Sequence, residues 1–256
     1  MNSTYDSNEF KKVLNEVGLV KDDYVFVHSS LKTLGKYEDK KNLDLLEMIK
    51  NTIFNFIGDD GLIVVPTFNF DFAKGVDFNV NNSPASGMGA FSEFIRIHPD
   101  SNRTRHPMHS ISMIGAHSKY ISNLEGDTEF SDGSAFDYLL KKNCKILYLG
   151  NSFTETFFHI AEEKATVPYR FWKPFKGNLI ENSVKKKIEI QYYARDFSIE
   201  PEPKINVSEL FKFLDNKNIF IKSTNDKINL MICSSSLYVD HCYLKLKENS
   251  RYFLTK

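Results

Sequence analysis

The sequence predicts an α/β protein in which helices cover both faces of a central mixed sheet, as a layered α/β/α sandwich. Amphipathic helical segments alternate with short runs of β-branched and aromatic residues through the first two thirds of the chain. With 256 residues and a hydrophobic content of 41%, the chain can bury one large core and a modest appended portion. These two observations are typical of one layered domain built around a sheet.

The predicted elements of the first half follow one another closely. They are a helix over 8–17, a strand over 24–28, a helix over 45–57, a strand over 62–65 that ends at Pro66, a helix over 91–97 and a strand over 110–115. Residues 67–89 form a long irregular segment rich in Asn, Asp, Phe and Gly, and a loop of that length in a compact domain is usually functional. A second polar segment covers residues 98–109.

The second half begins with the same alternation and then changes. A helix over 136–142, a strand over 144–149 and a further helix precede strands over 185–193 and 219–232, with helices over 207–214 and from about 236. Pro201 and Pro203 mark a connection in this last third. We therefore expect a single domain over 1–256, with its core at about 8–170 and an antiparallel C-terminal extension over about 171–256.

Composition argues against several functional classes. Thirty-three basic and 33 acidic residues leave no net charge, so the strong positive field of a nucleic-acid binder is missing. An enzyme for polycations usually gains from an acidic surface, and the totals give none. Three cysteines without metal spacing argue against a disulfide framework. No apolar run approaches the roughly 20 residues that span a bilayer, and no signal peptide is recognisable, so we expect a cytoplasmic protein.

The segment over 149–170 carries the strongest functional signal. It follows the predicted strand over 144–149, and after a Gly-Asn-Ser turn its pattern becomes helical, with Thr156 as the predicted N-cap. His159 then lies on the first turn of a helix beyond the carboxyl end of a strand, where α/β proteins bind ligands. Glu162 lies on the same helical face, within reach of the imidazole. The pair predicts a general base, and the alternative is a histidine that only bonds its neighbours.

Two other strand ends carry polar residues. The turn His28-Ser29-Ser30-Leu31 offers two hydroxyls and successive amides, which can hold phosphate or pantetheine oxygens. Pro66-Thr67-Phe68 repeats this arrangement one strand later, and Asp71 follows it among aromatic residues. Asp71 is a candidate partner for a substrate hydroxyl or amine. An ordinary polar loop, with an aspartate that caps a turn, is the alternative at both positions.

A cluster of basic residues over 103–110 precedes the strand over 110–115. Arg103 and Arg105 can bind an anion through their guanidinium groups. His106 and His109 raise the possibility of a metal site, but the zinc-binding helix pattern His-Glu-x-x-His is missing. Scattered histidines are more often hydrogen-bonded structural groups, so we predict no metal.

Four blocks of residues, taken in order, carry a family resemblance. They are His28-Ser29-Ser30-Leu31 with Gly35; Gly61 and Pro66-Thr67-Phe68; Arg103, His106-Pro107, Ser110 and Gly115; and Gly133-Ser134, Leu149-Gly150, Thr156, His159 and Glu162. In this order and spacing the chain resembles the aminoglycoside 3-N-acetyltransferase family over roughly residues 10–170. It departs from the family pattern just before the Thr-x-x-His segment. Aminoglycoside-modifying members have a segment there that resembles Leu-Asp-Thr, whereas this chain has Phe153-Thr154-Glu155 and is one residue shorter.

The resemblance implies transfer of an acyl group from acetyl-CoA or a longer acyl-CoA to an amine on a sugar ring. It implies His159 as the base, Glu162 as the carboxylate that orients it, and the His28–Leu31 loop with Ser110 as part of the coenzyme A site. We add Arg103 to that site for its guanidinium and Thr67 as a hydroxyl donor to the oxyanion. The predicted substrate-binding residues are Phe68, Asp71, His106, Thr156 and Arg170.

We expect the acceptor to be a nucleotide-linked amino-deoxysugar, for example a dTDP-3-amino-3,6-dideoxyhexose for a surface polysaccharide. An anionic nucleotide suits a neutral protein with arginines near the site, and the aromatic loop from Phe68 to Phe78 offers faces for stacking. One alternative is an aminoglycoside 3-N-acetyltransferase that confers antibiotic resistance. Another is a non-catalytic protein that binds coenzyme A or nucleotide sugars. We expect small-molecule substrates, no nucleic acid, no membrane and a possible homo-oligomer.

Overall fold

The structure is a computed structural model that describes residues 4–38 and 42–255. Its α-helices are α1 (Ser7–Glu16), α2 (Asn42–Ile57), α3 (Ala90–Arg96), α4 (Ser118–Ile121), α5 (Ala135–Lys141), α6 (Thr156–Ala165), α7 (Val207–Asn216) and α8 (Ser235–Glu248). Its strands are β1 (Tyr24–Ser29), β2 (Leu62–Pro66), β3 (Phe78–Asn79), β4 (Asn102–Arg103), β5 (Ile111–Gly115), β6 (Lys145–Leu149), β7 (Arg170–Glu181), β8 (Val184–Arg195), β9 (Ile221–Lys222) and β10 (Leu230–Ser234).

The main sheet is mixed and has the strand order β4-β5-β2-β1-β6-β10-β9. Strand β1 pairs in parallel with β2 on one side and with β6 on the other. The outer strands are antiparallel to their neighbours. Since parallel strands end at the same edge, the loops after Ser29, Pro66 and Leu149 meet there, and this is where an α/β sheet binds ligands.

Helices cover both faces of this sheet, as predicted. The side chains of β1 alternate between the two faces. Tyr24 and Phe26 pack into an apolar cluster with residues of α5, α6, α7 and α8. Val25 and Val27 pack into a second cluster with residues of α1, α2 and α3. Successive side chains of a strand point to opposite faces. Both faces are therefore buried, which explains the continuous apolar runs of the central strands.

Strands β7 and β8 form a long hairpin that belongs to a second, three-stranded sheet of order β3-β7-β8. Asn182 and Ser183 form its turn with positive φ angles of 49° and 64°, the conformation that suits a two-residue hairpin loop. The prediction of an antiparallel extension is correct for β9 and β10, which continue the main sheet. It missed β7, whose mixture of Lys, Pro and Gly has no clear alternation because only Leu179 of the strand is buried.

Two smaller differences from the sequence-based assignment concern helices. Helix α6 begins at Thr156, and Glu155 occupies the N-cap position without a side-chain hydrogen bond. The short helix α4 was not predicted. Cys144, Cys233 and Cys242 are free and buried. Within the described ranges, every helix is too short or too polar to cross a bilayer.

Candidate active site

A cleft of about 650 Å³ lies at the edge where β1, β2 and β6 end. The loops after these strands supply one wall, and the end of β8 with residues 204–207 supplies another. The sequence-predicted residues that line it are His28, Ser29, Phe68, Thr156, His159 and Arg170. The topology thus brings together residues that are more than 100 positions apart in the sequence.

A histidine–carboxylate pair on α6 borders the cleft: His159 lines it and Glu162 is fully buried. His159 Nδ1 lies 2.6 Å from Glu162 Oε2, and Arg170 Nε lies 2.8 Å from the same oxygen. A carboxylate can only accept, so Nδ1 carries the proton that it donates to Glu162, and Nε2 is left as the free basic nitrogen. This is the geometry that the spacing of His159 and Glu162 predicts.

Burial and charge fix the protonation state of this pair. Burial is the largest effect on the imidazole, and together with the positive charge of Arg170 it lowers the pKa of His159 although Glu162 acts in the opposite direction. Burial also works against ionisation of Glu162, but the hydrogen bond from His159 and the charge of Arg170 lower the pKa of this carboxyl. The pair therefore rests as a carboxylate beside a neutral imidazole. Arg170 Nη2 lies 3.2 Å from Nδ1 as a close contact between two donors.

Arg103, Ser110 and Thr67 lie behind the cleft and are tied into the fold. Arg103 is buried and donates to Ser110 Oγ and to the carbonyls of Val80, Ser83 and Thr67. The hydroxyl of Thr67 donates to the carbonyl of Ser110 at 3.1 Å. These groups are engaged with the backbone, so their contacts give no support to a coenzyme A site at Arg103 and Ser110 or to Thr67 as an oxyanion donor.

Several other predicted site residues also lie outside the cleft. Ser30 and Leu31 lead into a short 3-10 helix, and Ser30 Oγ accepts a hydrogen bond from the hydroxyl of Thr33. Asp71 is bound to Lys74 at 2.7 Å. Of the predicted turn, only His28 and Ser29 reach the cleft, because the 3-10 helix carries the following residues away from the sheet edge.

His28 is a neutral member of the cleft wall. Burial lowers the pKa of this imidazole to about 3, and its ring stacks on Tyr148 with centroids 5.4 Å apart. Its Nε2 has no hydrogen-bond partner within the described residues. A neutral imidazole can present this nitrogen to a bound molecule, although it cannot serve as a cation for phosphate.

A second cavity of about 260 Å³ lies beside the cleft, and His109 lines both. His106, predicted to bind substrate, lines this side cavity rather than the cleft. Burial lowers the pKa of His106. His109 Nδ1 lies 3.0 Å from the buried carboxylate of Glu129. Among the described residues, no group of three or more His, Cys, Asp or Glu side chains is arranged to hold a metal ion.

The sequence analysis missed several residues of the cleft. Thr154 Oγ1 is buried there without a hydrogen-bond partner in the described ranges. Tyr192 and Arg195 arrive on β8, and Lys204 follows the proline connection. The position of Thr154 two residues before the predicted helix start, beyond the carboxyl end of a strand, was a usable sequence signal. Tyr192 and Arg195 could not be found, since their position depends on a hairpin whose first strand has no sequence signature.

Comparison with known proteins gives a consistent family. Residues 26–244 match the sequence model described as aminoglycoside 3-N-acetyltransferase. Aminoglycoside acetyltransferase AAC(3)-IVa has a similar fold (TM-score 0.78, 19% identity, 100% of this chain and 93% of that one). So do AAC-IIIb, solved with CoASH (0.81, 17%, 99% and 99%), and the YokD protein of Bacillus subtilis (0.77, 20%, 98% and 96%).

Proposed function

Because the chain belongs to the aminoglycoside 3-N-acetyltransferase family, we propose that it acetylates an amino group of a polycationic, aminoglycoside-like sugar with acetyl-coenzyme A as the acyl donor. The observation that carries this proposal is the His159–Glu162 pair, 2.6 Å apart, with its free nitrogen in the cleft at the carboxyl edge of the sheet. No covalent intermediate on the enzyme is needed.

His159 supplies the base. An amine attacks a thioester only after it has lost its proton. The most effective base for this step is one whose pKa lies near the pH at which the enzyme operates. The lowered pKa of His159 keeps the imidazole neutral at neutral pH, so Nε2 is ready to accept. Glu162 fixes the tautomer and stabilises the imidazolium that forms. The role of this pair is the one that the family resemblance implies.

One end of the cleft fits the phosphates of coenzyme A. Arg195 and Lys204 line it, and Lys204 is exposed. The acyl donor supplies a thioester carbonyl, whose polarisation needs hydrogen-bond donors around its oxygen. Thr154 Oγ1, buried and unpaired in the cleft, is the hydroxyl we assign to this task in place of Thr67. The backbone N–H groups at the start of α6 support this assignment, because the N-terminal end of a helix dipole favours a negative charge such as the one that develops on the carbonyl oxygen.

Local charge in the side cavity suits a cationic acceptor. The side cavity behind His109 is lined by the carboxylates Glu125, Asp127, Glu129 and Glu189 and by the cations Arg105 and Lys186. Arg105 is already paired, 2.9 Å from Glu181 and 3.7 Å from Glu125. The zero net charge, from which we expected a nucleotide-linked sugar, is therefore the sum of acidic and basic regions that lie in different places. The family match supports the aminoglycoside alternative better, and the nucleotide-linked sugar becomes the comparison substrate.

A thiol-release assay with acetyl-coenzyme A tests the proposal. Polycationic aminoglycosides and nucleotide-linked amino sugars are compared at equal concentration, and we expect release with the aminoglycosides. His159→Gln should lower kcat by roughly 10²–10⁴-fold while calorimetry shows unchanged coenzyme A affinity. Thr154→Val should lower kcat by about 10²-fold, and Thr154→Ser should retain most of it. Release with neither class, or only with nucleotide-linked sugars, contradicts the proposal; coenzyme A binding without any turnover would indicate the non-catalytic alternative.

A further inference from the structure

The proposed reaction has one more proton to handle than a single imidazole can carry. An ammonium that becomes an amide loses two N–H protons, and the departing thiolate takes one of them. His159 has Nδ1 committed to Glu162, so it holds only one transferable proton at a time. The surplus proton must leave by another route, because a cleft filled by both substrates offers little contact with bulk water.

A second histidine–carboxylate pair lies beside the first. The ring centroids of His109 and His159 are 6.3 Å apart. His109 Nδ1 lies 3.0 Å from Glu129 Oε1, which again leaves Nε2 as the free nitrogen, and Nε2 has no hydrogen bond to the described residues. His109 is 6% exposed and forms a shared wall of the cleft and the side cavity.

Glu129 is built to hold an imidazolium at this position. Its side chain is 1% exposed, and its Oε2 has no hydrogen bond in the described part of the chain but lies 3.7 Å from His106 Nε2. Burial works against its ionisation, but the hydrogen bond from His109 and the charges of His109 and His106 keep the pKa of this carboxyl below its usual range. A buried carboxylate is costly to the fold unless positive charge faces it, and the two groups that face Glu129 are the imidazoles of His109 and His106.

The side cavity offers the proton a way out. Exposed Glu125, Asp127 and Lys186 line it, so it opens to the surface. The hydroxyl of Thr128, in its wall, donates to Glu163 at 3.2 Å. Burial and the charge of Glu129 raise the pKa of Glu163 to about 7, which suits a group that exchanges protons near neutral pH.

Other groups around His109 come from every element that packs against it. They are His106 on its own loop, Glu129 and Phe130 before α5, His159 on α6, Tyr192 on β8, and Phe68 and Phe70 after β2. Two further charged groups act on these neighbours: Arg170 of β7 on His159, and Glu163 of α6 on Glu129. The only cation in this set, Arg170, is bound to Glu162. A positive charge on His109 therefore meets carboxylates rather than a competing cation.

We propose that His109, held by Glu129, is the second proton acceptor of the site and removes the surplus proton from the ammonium of the acceptor. The N–H bond breaks, its electron pair stays on nitrogen, and the proton binds Nε2 of His109 and leaves to water in the side cavity. The neutral amine then attacks the carbonyl, the C–S bond breaks, and His159 carries the second N–H proton to the thiolate. The sum is ammonium plus thioester giving amide, thiol and one released proton.

This inference rests on the proposed acetyl transfer, and a pH series separates the two. His109→Gln and Glu129→Gln should lower kcat by roughly 10–100-fold at pH 6.5–7. The loss should shrink to within about 3-fold at a pH above the pKa of the acceptor amine, where no surplus proton exists. His159→Gln should stay impaired at every pH. His109→Phe, which keeps the ring packing, should behave like His109→Gln.

Each outcome is decisive. A loss in the His109 variants that is equal at all pH values indicates a packing role and overturns the inference, as does a variant that matches the wild type at pH 6.5. Coenzyme A affinity and melting temperature, measured on each variant, identify any variant that has failed to fold. If a His109 variant fails in this way, Glu129→Gln supplies the same test, because it removes the carboxylate that holds His109. If the wild type itself transfers no acetyl group to any amine, the proposed function fails first, and the inference fails with it.

Discussion

Arg170 determines the charge balance around His159. Its Nε lies 2.8 Å from Glu162 Oε2, and one Nη donates to the carbonyl of Tyr193, which ties the start of the hairpin to helix α6. The guanidinium compensates the buried carboxylate and at the same time disfavours a proton on the imidazole. One residue thus permits a fully buried acid and keeps the base neutral.

Replacing Arg170 should move the pH dependence of turnover. In Arg170→Gln the positive charge that lowers the pKa of His159 is gone, while the carboxylate of Glu162, which raises it, remains. The pKa of His159 rises, the imidazole is protonated at a higher pH, and the acidic limb of the kcat profile moves to higher pH. Arg170→Lys keeps the charge and should lie closer to the wild type. A limb that stays in place or moves to lower pH would refute this account.

Arg103 and Ser110 show how residues of a predicted site are used inside the fold. Arg103 and Ser110 have the residue types expected of an anion site, yet Arg103 is 7% exposed and stacks over Phe78 with 4.7 Å between its guanidinium carbon and the ring centroid. Backbone carbonyls use its donors. Sequence cannot distinguish a guanidinium that binds a ligand from one that joins loops, because both require the same residue.

At the scale of elements, the β7–β8 hairpin builds the wall of the cleft that the first two thirds of the chain leave open. It delivers Tyr192 and Arg195, and it is anchored by a small apolar cluster that contains Phe72, Phe78 and Leu179. Gly177 lies where β7 crosses Phe72. A Cβ at this glycine would lie 2.5 Å from the Phe72 ring, closer than two carbon atoms can approach.

Gly177→Ala should therefore destabilise the hairpin. The buried ring of Phe72 must move, and overpacking of this kind costs about 1–3 kcal/mol. We expect a lower melting temperature and a higher KM, since the wall of the cleft shifts. Val184→Ala, at an exposed position of the same hairpin, is the matched control and should change neither. An unaltered melting temperature in Gly177→Ala would show that the hairpin accommodates the methyl group without strain.

At the scale of the whole molecule, zero net charge conceals an asymmetric distribution. Arg195 and Lys204 line the cleft, and Glu125 and Asp127 line the side cavity that shares His109 with it. Exposed charges act over a Debye length, which falls from about 30 Å at 0.01 M salt to about 3 Å at 1 M. Such fields raise the local concentration of an oppositely charged ligand.

The KM of a polycationic acceptor should therefore rise with salt, by roughly 3–10-fold between low ionic strength and 0.5 M. In the double variant Glu125→Gln/Asp127→Asn, KM should be higher at low salt and should depend less on salt. Initial rates at saturating acetyl-coenzyme A separate this effect from that on the acyl donor. Equal salt dependence in both proteins would mean that these carboxylates do not attract the acceptor.

The sequence by itself determined the layered fold, the position of most helices and strands as far as α6, and the His159–Glu162 pair, because each of these depends on a local period or on a spacing within one helix. It could not assign β7, whose exposed residues have no period, nor distinguish the buried Arg103 and Thr67 from ligand-binding groups. Only the tertiary structure decided that His109 faces His159 with Glu129 behind it, and that acidic residues gather beside the cleft. Contacts between distant segments depend on how strands are ordered in the sheet, and net charge contains no information about where charges lie.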